Sequence, residues 1–212
     1  MTIPQTTKPV VAAFDFDGTL TRHDTLLPFL LHTAGAFVFI IKTIQLLPIF
    51  TAYAFGLMRN NVAKEKVLGC FLAQMELNKL QQHADQFART KLPTLLRKEA
   101  IQKLEWHQQQ GHRCIVISAS LENYLQPWAN TMGITDVLGS RLKHTGDGLR
   151  VTGKLDGENC FGPEKMRRLE ALLGQRDGYI LYTYGDSRGD KELLSAADYP
   201  FYKSFTRQGL QP

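Results

Sequence analysis

A short apolar run, Val10-Val11-Ala12-Ala13-Phe14, breaks directly into Asp15-Phe16-Asp17-Gly18-Thr19, and this junction constrains the fold more than any other part of the chain. A continuous apolar stretch of that length, rich in valine, suits a strand covered on both faces, as in a parallel sheet. Two further runs repeat the plan. Cys114-Ile115-Val116-Ile117 ends in Ser118-Ala119-Ser120, and Tyr179-Ile180-Leu181-Tyr182-Thr183-Tyr184 ends in Gly185-Asp186-Ser187. Ligands of open α/β sheets bind beyond the carboxyl ends of the strands, so the three polar clusters are expected to converge on one site.

Helical patterns separate the runs. Thr94 to Gln110 reads as an amphipathic helix stopped by Gly111, and Leu121 to Met132 as a second ended by Gly133. Pro163 to Leu173 reads as a third, with Pro163 near its first turn and Gly174 as its stop. Alternation between Asp136 and Asp156, around Gly146-Asp147-Gly148, predicts a β-hairpin. Strands alternating with helices give an α/β fold on a parallel sheet. The 212 residues allow one medium domain or a core carrying a smaller insertion.

Residues from about 24 to 93 break the alternation and read as helices inserted after the first strand. Two uncharged pieces, Thr25 to Ile41 and Thr43 to Met58, are divided by Lys42. Each falls just short of the ~18 apolar residues expected of a membrane span. Each also holds a proline, Pro28 or Pro48, and polar residues such as His32 and Gln45. A pair of buried helices is the first reading, shallow contact of 26–58 with a membrane surface the second, and a true span the third.

Other classes are disfavoured. Cys70, Cys114 and Cys160 are far apart with no CxxC pair, which argues for a reducing cytoplasm and against a disulfide framework. His107 and His112, five apart, are expected on different helical faces, and no zinc site is expected. The net charge of +5 is a mild bias toward anionic ligands. No basic stripe with interleaved aromatics points to nucleic acid. The polar stretch Met1 to Lys8 does not read as a secretion signal.

The three strand ends supply what phosphoryl transfer from a monoester requires. Asp15 and Asp17 can reach one pocket because the chain turns there, and Gly18 lets backbone approach a phosphate. Asp186 from another strand end would complete an oxygen-rich site for a hard cation such as Mg²⁺. Ser118 offers a hydroxyl and backbone N–H groups at a helix N-terminus, and Lys165 a positive charge. Asp190 and Ser120 also have a plainer reading as helix N-caps, the better one for Ser120.

In order and spacing these residues resemble the haloacid dehalogenase-like (HAD) superfamily. Asp15-Phe16-Asp17-Gly18-Thr19 is similar to its first motif, DxDGT, and Ser118 to its second. Lys165 resembles the third, and Gly185-Asp186-Ser187-Arg188-Gly189-Asp190 the fourth, GDxxxD. The resemblance, from about Val10 to Tyr202, implies a Rossmann-like three-layer core, 1–23 with 94–212, and an inserted helical C1-type cap, 24–93. It implies that Asp15 forms an aspartyl phosphate and that Asp17 protonates the leaving alcohol and then activates water. It implies Mg²⁺ on Asp15, the backbone carbonyl of Asp17 and Asp186, with Asp190 in support. Gly18, Ser118, Ala119 and Lys165 would hold the phosphoryl group.

The insertion resembles subfamily IB, where Asp24 falls at a position that meets the substrate in phosphoserine phosphatases. The Gly-Asp-Ser form of the fourth motif looks closer to the phosphatidylglycerophosphatase C group. A small phosphorylated metabolite is the first expectation for the substrate. A lipid phosphate at the membrane surface is the alternative, since two apolar cap helices with the basic flanks Lys42, Arg59, Lys64 and Lys66 would suit an acyl-chain substrate there. A phosphotransferase and a non-catalytic membrane- or partner-binding protein are the readings from other classes.

Overall fold

The computed structural model describes residues 8–205, so nearly all of the polar N-terminal stretch lies outside the described residues. Strand β1 (Val10–Phe14) leads through a tight turn at Phe16–Leu20 into helices α1 (Leu26–Ala34), α2 (Ala36–Gln45) and α3 (Leu47–Ala54). Helices α4 (Asn60–Leu72), α5 (Leu77–Thr90), α6 (Leu92–Leu95) and α7 (Lys98–Gln109) follow. Next come β2 (Arg113–Leu121), α8 (Glu122–Thr131), β3 (Asp136–Ser140), β4 (Leu142–His144) and β5 (Val151–Leu155). The chain continues with α9 (Pro163–Leu173), β6 (Ile180–Gly185), α10 (Lys191–Ser195) and β7 (Tyr199–Tyr202).

The main sheet has the order β3-β2-β1-β6-β7, with every pairing parallel. Strand β1 is central, with Ala12 beside Cys114 on one side and Tyr182 on the other. Its side chains alternate between two cores, as a strand covered on both faces requires. Ala12 and Phe14 enter the larger core with Val116, Leu104 and Trp128. Val11 and Ala13 enter the smaller one with Ile115, Leu169 and Leu193. Helices on both faces make three layers, and the sheet's direction of growth reverses between β1 and β6, which places a crevice at their carboxyl ends.

The inserted helices form a cap whose two connections to the core pair with each other. Thr21 bridges Leu96, and the Arg97 amide donates to the Leu20 carbonyl at 2.8 Å. This pairing breaks the single helix expected over Thr94–Gln110. Leu96 and Arg97 are extended, and α7 begins only at Lys98. The hairpin is also shorter than expected. Asp136–Ser140 carries the apolar pair Val137 and Leu138 and joins the main sheet, so only β4 and β5 pair antiparallel.

Strand β5 is bonded to the cap as well as to β4. The Gln74 amide donates to the Val151 carbonyl at 2.8 Å, and the Val151 amide to the Met75 carbonyl at 3.0 Å. Close approach here depends on glycine. A Cβ on Gly153, whose φ is +79°, would lie 2.5 Å from the Gly69 Cα on α4.

His107 and His112 were expected apart, yet their Nδ1 atoms lie 2.7 Å from each other. The helical-face argument fails because α7 ends at Gln109 and the chain folds back at Gly111, φ +73°. The Nε2 of His107 lies 2.9 Å from the Tyr184 hydroxyl, so the imidazole pair joins an aromatic stack.

Two outcomes follow. Gly153→Ala should cost about 3 kcal/mol or more in urea unfolding, because a left-handed φ and a backbone clash combine. Gly148→Ala, with open space around its φ of +71°, should cost only about 1 kcal/mol. Burial, then the charges of His112 and Lys103, pulls His107 down to about 4 from its ordinary 6.5. The unfolded chain therefore binds this proton first, and stability should fall as pH drops from 6.5 through 4. In His107→Gln that part of the slope should vanish from pH-dependent unfolding curves.

Candidate active site

Strand β1 ends at Phe14, and the Asp15 amide donates to the Tyr184 carbonyl at 2.8 Å, which fixes the start of the turn against β6. The turn then crosses the end of β6 at Gly18, φ +77°, where a Cβ would lie 2.2 Å from Asp186 Oδ2. Gly185 permits a second close approach, since a Cβ there would lie 2.6 Å from the Asp190 Cβ. Gly18 thus lets the acidic segments from β1 and β6 meet, and Gly185 lets the second fold back on itself so that Asp190 lies against the strand end.

Lys165, in the first turn of α9, points into that meeting place. Its ammonium donates to Asp15 Oδ1 at 2.6 Å and to Asp190 Oδ1 at 2.5 Å, and all three side chains are buried. Burial alone would lower the lysine pKa, but the two carboxylates outweigh it and hold Lys165 above its ordinary range. The second oxygen of Asp190 accepts from the Ser187 hydroxyl at 2.8 Å and from the amides of Ser187 and Asp186. Asp190 does not cap α10 with its side chain; it closes a capping box with Ser187 instead.

Asp15, Asp186 and Asp190 bring one oxygen each within 4.8 Å of one another. Asp186 Oδ1 is buried and has no hydrogen-bond partner among the described residues. Burial pushes Asp15 up to about 8 in spite of Lys165, and burial followed by Asp190 raises Asp186. Three close carboxylates and one ammonium leave negative charge without a counterion. That donor set fits a hard divalent cation.

Asp17 lies apart from this cluster. Its Oδ1 accepts from the Thr25 amide at 2.9 Å and the Thr25 hydroxyl at 2.7 Å, and its Oδ2 accepts from the Ser120 hydroxyl at 2.5 Å. The Tyr124 hydroxyl donates to Ser120 Oγ at 2.8 Å. Burial, then the charge of Asp24, raises Asp17 to about 6, with the Ser120 and Thr25 hydrogen bonds opposing. Ser120 was expected to cap α8, but that helix begins at Glu122 after Leu121, without a side-chain cap. The reason is a bulge. Strand β2 runs on to Leu121, and its register with β3 shifts between Ile117 and Leu121. The irregularity turns Ser118 and Ser120 toward the strand ends.

One cavity of about 630 Å³ collects Asp15, Asp17, Gly18, Ser118, Ala119, Lys165 and Asp186. Asp24 reaches its rim, where its Oδ1 accepts from the Leu26 amide at 2.9 Å and so holds the start of α1. Ser118 is buried, and its hydroxyl accepts from the Ser120 amide at 3.1 Å. Sequence reasoning missed Thr25, Tyr124 and Asn159 altogether, and saw Lys64 only as a basic flank. Burial pulls the Lys64 ammonium down to about 8, against the attraction of Asp17 and Asp24.

The cap supplies an apolar entrance through Leu26, Leu27, Phe50, Tyr53, Ala63 and Val67. Of the two pieces expected as a buried helix pair, the first opens with α1, which buries Phe29 and Leu30, but α2 and α3 contain no buried residue, and Phe50 and Tyr53 of α3 line the cavity. Phe37 and Phe55 are each 77% exposed, and Ile40 and Ile44 about 60%. Among the described residues no single helix is long and apolar enough to cross a membrane; α2 and α3 form a pair bent by 54°. Lys42 turns inward and donates to the Cys70 carbonyl at 2.7 Å.

The profile of the haloacid dehalogenase-like hydrolases matches residues 12–195. Protein CicA of Caulobacter vibrioides is 34% identical over 198 residues, 93% of this chain and 87% of that protein. A solved protein of unknown function from Bordetella pertussis Tohama I is similar at a TM-score of 0.79 and 25% identity, covering 92% of this chain and 89% of its own. The phospho-aspartyl intermediate analogue of phosphoserine phosphatase shares the fold at a TM-score of 0.59 and 17% identity, over 90% of this chain and 84% of that one. Sequence profile, relative and fold agree, and the chain belongs to the haloacid dehalogenase-like hydrolases.

Proposed function

We propose that the enzyme hydrolyses phosphate monoesters through an aspartyl phosphate on Asp15. The observation that carries this reading is the separation of the two motif carboxylates. Asp15 is held by Lys165 in the acidic cluster, and Asp17 stands beside it in a hydroxyl cage with its pKa raised to about 6. A carboxyl near that value is suited to give a proton and take one back.

An Asp15 carboxylate oxygen forms a bond to phosphorus while the ester P–O bond breaks, and Asp17 gives its proton to the leaving oxygen. Asp17 then takes a proton from water as that water attacks phosphorus, which frees inorganic phosphate and restores Asp15. Gly18, Ser118, Ala119 and Lys165 hold the transferring group. The acidic cluster suits Mg²⁺ on Asp15, Asp186 and the Asp17 carbonyl, with Asp190 supporting both Lys165 and the fourth-motif loop. When bound, the ion supplies charge against the phosphoryl oxygens and the carboxylates. On this reading 1–23 with 94–212 is the catalytic core in the cytoplasm, and 24–93 is the cap that meets the rest of the substrate, with Asp24 at the rim.

A small phosphorylated metabolite suits the size of the cavity. A lipid phosphate is the second reading, favoured by the exposed apolar residues of α2 and α3 beside an apolar entrance. Acidic residues are absent from the sequence between Asp24 and Glu65, so that surface offers no repulsion to anionic headgroups.

Phosphate release from an aryl phosphate should require Mg²⁺, stop on addition of EDTA, and be abolished in Asp15→Asn. In Asp17→Asn it should fall by about 10²–10⁴-fold. Release by Asp15→Asn at the wild-type rate would end the nucleophile assignment, and transfer of phosphate to an added alcohol in place of water would mark a phosphotransferase. On the lipid reading the protein should float with phosphatidylglycerol vesicles. Replacing Phe37, Ile40 and Ile44 by Asp should abolish flotation yet preserve aryl phosphatase activity. A wild-type protein that stays in the soluble fraction would remove the support for a lipid substrate.

A further inference from the structure

We infer that Lys64, borne by cap helix α4, is a positioning residue that fixes the Ser118–Ser120 segment in its phosphate-holding shape; the inference rests on the phosphatase reading above. The Lys64 ammonium donates to the Ala119 carbonyl, to Asn159 Oδ1 at 2.8 Å and to Ser140 Oγ at 3.3 Å. An ammonium has three donors, and these partners use all three, so Lys64 acts as a strut within the protein. The Ala119 carbonyl needs such a partner. It sits where β2 and β3 slip out of register, and a bulged strand loses its regular ladder bonds.

The same strut reaches the segment that carries Lys165. Ser140 Oγ donates to Asn159 Oδ1 at 2.7 Å and accepts from the Cys160 amide at 3.2 Å, a few residues before α9. Asn159 Nδ2 in turn donates to Asn60 Oδ1 on α4 at 2.9 Å. One cap helix therefore joins the Ser118–Ala119 end of β2 to the approach of Lys165, the two places that grip the phosphoryl group on this reading. A displacement of about 1 Å at such groups costs on the order of a hundredfold in rate.

The test compares Lys64→Met, Lys64→Arg and Asn61→Ala. Asn61 donates to Glu158 at 2.5 Å, so its loss loosens the same helix against the same loop and leaves the Ala119 carbonyl alone. Lys64→Met should lower kcat by about 10- to 100-fold, by the same factor for aryl phosphate and for phosphoserine, because both share the phosphate. Calorimetry with inorganic phosphate and Mg²⁺ should show binding weakened about tenfold or more, and Lys64→Arg should recover most of both losses. Asn61→Ala should keep kcat and phosphate binding within about twofold, whatever its melting temperature.

Three results would overturn the inference. They are unchanged kcat and phosphate binding in Lys64→Met, a loss confined to one leaving group, and an equal loss in Asn61→Ala. The first means that the strut is idle, the second that Lys64 meets the substrate directly, and the third that any loosening of α4 suffices. Should the wild type release phosphate from no substrate, the phosphatase reading fails on its own. The calorimetric comparison still decides the role of Lys64.

Discussion

The buried ammonium of Lys165, shared between Asp15 and Asp190, is the contact around which the rest of the site is arranged. Carboxylates this deep are expensive unless paired, and removing one partner of such a pair commonly costs about 3–5 kcal/mol. The pairing also sets geometry. Because Lys165 comes from α9, Asp15 from the end of β1 and Asp190 from the turn before α10, the ion pair pulls three separate segments to one point. Its charge is still one cation short of its carboxylates. Burial accordingly keeps Asp15 and Asp186 above their ordinary values, and Asp186 retains an unpartnered oxygen. Three carboxylate oxygens within 4.8 Å of one another are a donor set that could hold a divalent cation.

Backbone proximity makes the cluster possible. Gly18 and Gly185 occupy positions where any Cβ would strike Asp186 or Asp190, so these two glycines set how near the carboxylates stand. The same device operates where the cap meets the hairpin, at Gly69 and Gly153. That contact, with the amides of Gln74 and Leu77 bonded to the hairpin, ties α4 and α5 to β5. The cap is therefore fastened at its α4–α5 end as well as at its paired connections through Thr21 and Leu96. Helices α1 to α3 lie outside those bonds, and α1 and α3 share the apolar lining of the cavity with α4.

The core sheet and the carboxyl ends of its strands were legible because their signals are local. Each strand beside the site is a short apolar run, and a polar cluster follows directly on each, so Asp15, Ser118 and Asp186 could be placed from neighbours in sequence, and Lys165 from the proline-led first turn of a helix. What stayed hidden depends on long-range pairing. The broken helix at Leu96 arises from a bond to Thr21, the shift of Asp136–Ser140 into the main sheet from its partner β2, and the His107–His112 contact from a helix that stops early. Ser120 was misjudged for a related reason. An S-x-S segment before a helix looks like a cap until the strand is known to bulge. Thr25 and Tyr124 carry no motif, and only the folded chain brings both to Asp17.

The cap sets the problem of what the enzyme acts on. A helix such as α2, which exposes Phe37, Ile40, Ile41 and Ile44, is costly in water, and soluble proteins rarely expose large contiguous apolar patches without using them. Here the cavity is lined on its cap side by Leu26, Leu27, Phe50 and Tyr53, and exposed apolar residues run along α2 between the helices that carry them. The deep end of the cavity is acidic and hydroxyl-rich, so polarity rises along the path from entrance to Asp15. A substrate matched to that gradient has a charged phosphate at one end and an apolar body at the other. The two features need not share one cause, since an apolar wall can serve to expel water around a small ester. Yet a wall needs to face inward only, and Phe37, Ile40, Ile44 and Phe55 face outward. A wall around a small ester does not require their exposure.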